Sequence, residues 1–242
     1  MKKNIAILAG GDSSEFPVSM NSAKTIQSSL DRNLYNIYLI IQKGKKWTYK
    51  TDEEDIEIDK NDFSCRVKGE KIKFDCAFII IHGRPGENGL LQGYFETLRI
   101  PYTTCGVLSS SLTFNKIFSK KYITQFDIPV SKYRIIHKNE NYSTDEILDD
   151  VGLPCFVKPN RAGSSFGITK VFKKEEFENA VNKAFEEDHQ ILAEEYLDGM
   201  ELTCGLIKTK DQDLIFPPTE VVPKNEFFDY EAKYTKGMAD EI

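Results

Sequence analysis

No apolar run in this chain approaches the ~20 residues that a membrane-spanning helix needs, and no two of its five cysteines form a C-x-x-C pair. The cysteines stand at 65, 76, 105, 155 and 204, odd in number and widely spaced. That argues against a disulfide framework or a zinc site and suits a reducing cytoplasm. Each cysteine reads as a small core hydrophobe. An excess of positive charge is missing too. With 32 Lys and Arg against 38 Asp and Glu, the net charge is −6. Bulk charge therefore gives no reason to expect nucleic acid or an anionic membrane as partner, although a local basic site for phosphate stays open. The opening "MKKNIAILAGG" has no signal-peptide core, because its apolar run from Ile5 to Ala9 is too short and Gly-Gly-Asp follows at once. No internal repeat or low-complexity stretch is visible.

What is present is enough for a real core. The 242 residues are 40% hydrophobic and 12% aromatic, which fits one large domain or two small ones at roughly 100–200 residues each. "NIAILAGG" reads as a buried parallel strand running into a loop. "VSMNSAKTIQSSL" has helical spacing, with Val18, Ala23, Ile26 and Leu30 on one face, and "YNIYLIIQ" is a second strand. Strand, helix and strand at this spacing imply a parallel sheet. A polar excursion over residues 46–74 separates them from the next buried strand, "DCAFIIIHG". "GLLQGYFETLRI" predicts a helix stopped by Pro101, and a further helix is expected to run to about Asp127. A boundary falls near Gly106 to Thr113. From Ser131 the pattern becomes antiparallel-rich: strands at "KYRIIHK", "PCFVKPN", "GITKVFK", "QILAEEYL", "MELTCGLIK" and "DLIFPPTEVVPK", with helices at "STDEILDDVG" (capped by Ser143 or Thr144) and "KEEFENAVNKAFEED".

Three loops carry chemistry. "GGDSSEFPVS" (10–19) joins a strand to a helix, where open parallel sheets bind ligands. It is not G-x-G-x-x-G, and a plain turn with Ser13 or Ser14 near the helix cap would explain it alone; Glu15 is its notable carboxylate. "HGRPGENGLLQG" (82–93) places His82, Glu87 and Gln92 beside four glycines, which suggests close backbone approach to a neighbour or ligand. "VKPNRAGSSFGITKV" (157–171) puts a lysine at the end of an apolar strand, before a small Gly-Ser loop. It lacks G-K-[ST], yet backbone N–H groups of such a loop can wrap phosphates. Lys158 can neutralise them, and a lysine on a buried strand needs a partner.

These segments, in this order, resemble the D-alanine–D-alanine ligase family of the ATP-grasp superfamily. The family patterns G-G-x-S-x-E-x-x-V-S, H-G-x-x-G-E-[DN]-G-x-x-Q-G, K-P-x-x-x-G-S-S-x-G and F-Y-D-Y-x-x-K-Y stand here as "GGDSSEFPVS", "HGRPGENGLLQG", "KPNRAGSSFG" and "FFDYEAKY", with "IPYTTCGVLSSSLTFNKIFSK" between them. The likeness covers essentially the whole chain. It implies an α/β parallel-sheet (pre-ATP-grasp) domain over 1–108, followed by an α+β ATP-grasp region over 109–242 that is incomplete at its C-terminus. It also implies ATP-dependent joining of two D-alanines through an acyl phosphate, for peptidoglycan precursors. The alternatives are a nucleotide-binding fragment without catalysis, or another ATP-grasp carboxylate–amine ligase.

Roles follow from the resemblance position by position. Glu15 would hold the ammonium of the first D-alanine, in a Glu–Ser–Tyr set with Ser164 and Tyr234. His82 lies near that substrate, supported by Glu87. Lys116 and Lys158 bind nucleotide phosphates; Ser165 and Gly167 belong to the covering loop. Glu194 would take the adenine amino group, Tyr196 and Leu197 the hinge around the base, Glu201 the ribose, and Lys233 the phosphates. The chain departs at Phe16-Pro17, where His-Glu is common, and at "TTCG", where Gly-Ser-Gly is usual. Tyr234 favours the dipeptide over D-alanyl-D-lactate. The resemblance implies Mg2+ as cofactor, with ligands beyond Ile242, and allows a homodimer.

Overall fold

A computed structural model describes residues 2–224, 230–235 and 237–241. It divides into two compact units: residues 1–129 with 161–163, and residues 130–160 with 164–242. The family-based expectation drew its line earlier, after 108.

The first unit is built on a five-stranded sheet in the order β4-β3-β2-β1-β7, from β1 (Lys3–Gly10), β2 (Tyr35–Lys43), β3 (Lys46–Lys50), β4 (Asp55–Glu57) and β7 (Cys76–Ile79). β5 (Ser64–Val67) and β6 (Glu70–Lys73) form a separate hairpin. β1 runs parallel to both β2 and β7, and antiparallel strands extend the β2 edge. The all-apolar run of β1 has a physical cause, since both its faces are covered. Ala6 and Leu8 join a core with Trp47, Phe63, Ile79 and Phe95, while Ile7 and Ala9 pack with Ala23, Met20 and Ile26 of α1 (Phe16–Ser29). α2 (Leu90–Leu98) follows the second glycine-rich loop. The helix expected to reach Asp127 is instead broken at Asn115, between α3 (Val107–Phe114) and α4 (Lys116–Ile123). Asn115 is extended (φ −97°, ψ 104°), and its side chain accepts the amide of Phe118 at 3.0 Å. A good N-cap wins over helix continuation there.

The second unit has a four-stranded sheet in the order β10-β9-β11-β8: β8 (Tyr133–His137), β9 (Cys155–Pro159), β10 (Thr169–Val171) and β11 (Gln190–Glu195), antiparallel where they pair. α5 (Thr144–Val151), capped by Ser143, and α6 (Phe177–Glu187) cover one face. Alternation decides which residues face them: Ile136, Cys155, Val157, Val171, Ile191 and Ala193 join Phe177, Ala180 and Ala184 in one core. Beyond β11 come β12 (Leu202–Thr203), β13 (Leu206–Lys208), β14 (Asp213–Ile215) and β15 (Thr219–Pro223), then α7 (Tyr230–Tyr234) and β16 (Ala239–Glu241). The single strand expected over "MELTCGLIK" is therefore two, interrupted at Cys204-Gly205, with Leu206 exposed.

The cysteine expectation needs correction. Cys65 and Cys155 are buried, and burial pushes the Cys155 thiol up to about 11. Cys105 and Cys204 are exposed, because loop and hairpin positions offer no core to enter. All five are free thiols. Among the described residues, no helix is long and apolar enough to cross a membrane.

Candidate functional site

In the first unit the chain leaves β1 through Gly10 and Gly11, both left-handed (φ +100° and +107°). A Cβ on Gly10 would lie 2.3 Å from the Gln42 carbonyl oxygen, so no other residue fits without moving backbone. The turn is then tied down by side chains. Ser19 Oγ accepts from Gly10 N–H (2.9 Å) and donates to the Ile80 carbonyl (2.8 Å). Ser13, two positions ahead of the N-cap residue Glu15, uses its Oγ to donate to the His82 carbonyl (3.0 Å) and to accept from Glu15 N–H (3.3 Å). α1 starts at Phe16 without a side-chain cap, with proline in its first turn.

Glu15 and the second loop are thereby brought together. Glu15 is buried, and ideal Cβ positions at Gly83 and Gly163 would both fall 2.8 Å from its carboxylate oxygens. Two backbone segments approach that carboxylate so closely that only glycine fits. His82 Nε2 lies 3.2 Å from Ser22 Oγ on α1. Glu87 accepts from Gly83 N–H at 2.6 Å. Burial pushes the Glu87 carboxyl above the usual carboxylate range; the Gly83 hydrogen bond opposes this, Glu15 adds to it, and His82 opposes it. Gln92 is fully buried, donating to the Gly86 carbonyl (2.6 Å) and to Thr104 Oγ1 (3.0 Å). Lys116, at the first position of α4, donates to the Ala162 carbonyl at 2.6 Å.

In the second unit the functional side chains stand on the sheet itself. Val157 points to the helices, so Phe156 and Lys158 point the other way. Glu194 and Leu192 share that face, since their neighbours Ile191 and Ala193 are in the core. The partner that Lys158 needs is Glu194: its ammonium pairs with one carboxylate oxygen, and Ser131 Oγ donates to the other. A cleft of about 550 Å³ lies alongside, lined by Phe156, Tyr196, Leu197, Met200, Glu201 and Val221, among others. Lys170 sits 3.9 Å from the centre of the Tyr196 ring, close enough for a cation–π contact.

The Gly-Ser-Ser loop carries left-handed backbone at Ser164 and Ser165 (φ 49° and 62°). The chain's last motif folds onto it: Ser164 Oγ and Tyr234 Oη are 2.7 Å apart, and Lys233 Nζ donates to Ser165 Oγ at 2.8 Å. A Cβ on Gly167 (φ +69°) would fall 3.0 Å from Glu187 Cγ and 3.3 Å from Pro159 Cγ. Glu15, the third member of the expected Glu–Ser–Tyr set, belongs to the first unit. Phe227, Phe228 and Asp229 of the motif lie outside the described residues. Sequence reasoning missed Phe156, Lys170 and Ser131. Phe156 was findable by stepping back two positions from Lys158; the other two depend on strand pairing.

Two family models match the chain: "D-ala D-ala ligase N-terminus" over residues 4–105 and "D-ala D-ala ligase C-terminus" over residues 122–242. The chain belongs to the D-alanine–D-alanine ligase family. A family member from Phocaeicola vulgatus, named D-alanine–D-alanine ligase, is 49% identical over 243 residues, covering 100% of this chain and 75% of the relative. The D-alanyl-alanine synthetase A structure from Vibrio cholerae matches with a TM-score of 0.85 at 31% identity, covering 100% of this chain and 74% of that one. A Bacillus anthracis D-alanine–D-alanine ligase complexed with ATP matches with a TM-score of 0.71 at 29% identity, over 99% of this chain and 70% of that one. Among the described residues, no group of three or more His, Cys, Asp or Glu is placed to hold a metal ion.

Proposed function

We propose that this chain carries the nucleotide and first-amino-acid sites of an ATP-dependent ligase that joins two D-alanines for peptidoglycan precursors. The observation that carries the reading is the meeting of the Gly-Ser-Ser loop with the chain's last motif, through Ser164–Tyr234 and Lys233–Ser165. Two segments nearly 70 residues apart supply a lysine, three hydroxyls and a turn of backbone N–H groups in one place, as a loop closing on phosphate requires.

In this proposal the γ-phosphoryl of ATP passes to a carboxylate oxygen of one D-alanine as its bond to ADP breaks. The amine of a second D-alanine attacks the acyl carbon, inorganic phosphate leaves, and the amine loses a proton. Charge accumulates on the transferring oxygens, so the protein's share is positioning and electrostatic stabilisation. Lys116, Lys158 and Lys233 supply positive charge, and the backbone of Ser165 and Gly167 supplies donors. Glu15 holds the first ammonium, with His82 and Glu87 beside it. Ser164 and Tyr234 hold the final loop in place. Glu194, Tyr196, Leu197 and Glu201 receive the adenosine. Cytoplasmic location and a homodimer belong to the same proposal.

The test is phosphate release from ATP that depends on D-alanine, measured against a Glu15→Gln control, together with calorimetric ATP titration. D-alanine-dependent release above that control supports the proposal. ATP binding without such release makes the chain a nucleotide-binding module instead. Lys158→Ala is expected to weaken ATP about tenfold or more, the scale of a lost charge-assisted contact; unchanged affinity refutes the phosphate role.

A further inference from the structure

We propose that Ser131 is a positioning residue that makes this site select a purine bearing a 6-amino group. The inference rests on the reading of Glu194 as the acceptor for that amino group.

Ser131 stands just before β8, two positions ahead of Tyr133, which pairs in register with Glu194. Ser131 is buried (5% exposed), as is Glu194 (8%). The start of β8 is clamped to the end of β11 three times over. Glu195 N–H donates to the Lys132 carbonyl (3.0 Å), Lys132 N–H donates to the Glu195 carboxylate (2.6 Å), and Ser131 Oγ donates to Glu194. The first two contacts fix the strands. Only the third reaches a side chain on the cleft-bearing face.

Its consequence is orientation. Lys158 pairs with one carboxylate oxygen of Glu194, Ser131 with the other. A carboxylate held from one side only can swing toward the ammonium. Held from both sides, its plane is set by two strands. About four acceptor positions exist on such a group. A fixed carboxylate accepts from a 6-amino group and repels the carbonyl oxygen of a 6-oxo purine. Selectivity of this kind is strong because the mismatched partner leaves a buried polar group badly placed.

The experiment is calorimetric titration of the chain with ATP and with inosine triphosphate, which differ in the 6-substituent. Ser131→Ala should weaken ATP about fivefold to tenfold, the scale of one ordinary hydrogen bond, and leave inosine triphosphate within about twofold. Ser131→Thr, which keeps the hydroxyl, should restore ATP. A merely structural serine would weaken both nucleotides alike, and that result, or no change in either, overturns the proposal. Circular-dichroism melting checks that the variants fold; should Ser131→Ala fail to, Ser131→Cys, nearly the same size but a weak donor, carries the same comparison. Glu194→Gln tests the underlying reading separately. Its amide can donate to a 6-oxo group, so selectivity should shift toward inosine triphosphate. If it does not, the Glu194 reading fails and takes the inference with it. If it does while Ser131→Ala leaves selectivity intact, only the inference fails.

Discussion

The two sheets of this protein solve the same problem in opposite ways. In the first unit, β1 is apolar on both faces and buried on both, so no strand position is left for chemistry. The polar groups are pushed into the loops beyond the strand ends, where glycines let backbone close around Glu15. In the second unit, α5 and α6 cover one face only, and the other face of β9 and β11 carries Phe156, Lys158 and Glu194. There, core and site are separated by one position along the strand. The comparison teaches that coverage of a sheet decides where its functional groups can stand.

The sharpest way to break the comparison is on β9. Val157→Asp puts a charge among Phe177, Ile191 and Ala193 and should cost about 4 kcal/mol or more, collapsing the far-ultraviolet signal of the second unit. Phe156→Ala, one position away, should leave a cooperative melt and chiefly weaken ATP. Equal damage from both would show that the two faces are not distinct. Next in size, Gly10→Ala in the first unit should cost about 1–3 kcal/mol from left-handed backbone alone, with the Gln42 carbonyl adding a clash. A Tm within a degree of the unaltered protein would contradict the loop argument. Lys170→Met removes the charge over the Tyr196 ring and should cost about 0.5–1 kcal/mol of nucleotide affinity, read by titration, with the melt unmoved.

The smallest expected effect is a change of slope with pH. Burial raises the Glu87 carboxyl above its unfolded value. Between those two values the folded protein holds the proton more firmly than the unfolded chain, so stability falls as pH rises through that window. Glu87→Gln should flatten this segment of the Tm–pH curve. A slope identical to that of the unaltered protein would mean that Glu87 does not titrate there.

How legible the site was depended on which solution a region used. The Glu15 and His82 loops stood out because glycines, a carboxylate and an imidazole interrupt apolar runs. Lys158 stood out because a lysine on a buried strand is costly alone. Its partner Glu194 was legible as a residue of interest only through family resemblance, and Ser131 was not legible at all. Pairing between residues 131 and 194 is a matter of strand register, to which local pattern is blind. The break at Asn115 was hidden for a different reason: helix periodicity continues across it, and only the side-chain cap interrupts the chain. The exposed Cys105 and Cys204 show the limit of composition, since a cysteine is apolar enough for a core but does not by itself create one.

By itself the sequence determined the family, the parallel character of the first sheet, the antiparallel-rich second region and the three chemistry-bearing loops. Each of these follows from local pattern: apolar period, glycine placement, motif order. Only the tertiary structure decided that Lys158 is balanced by Glu194, that Ser131 completes that carboxylate's setting, and that Tyr234 and Lys233 reach the Gly-Ser-Ser loop. These contacts join residues from 36 to 70 positions apart, and such distances are closed by strand pairing and packing rather than by any preference of the residues themselves.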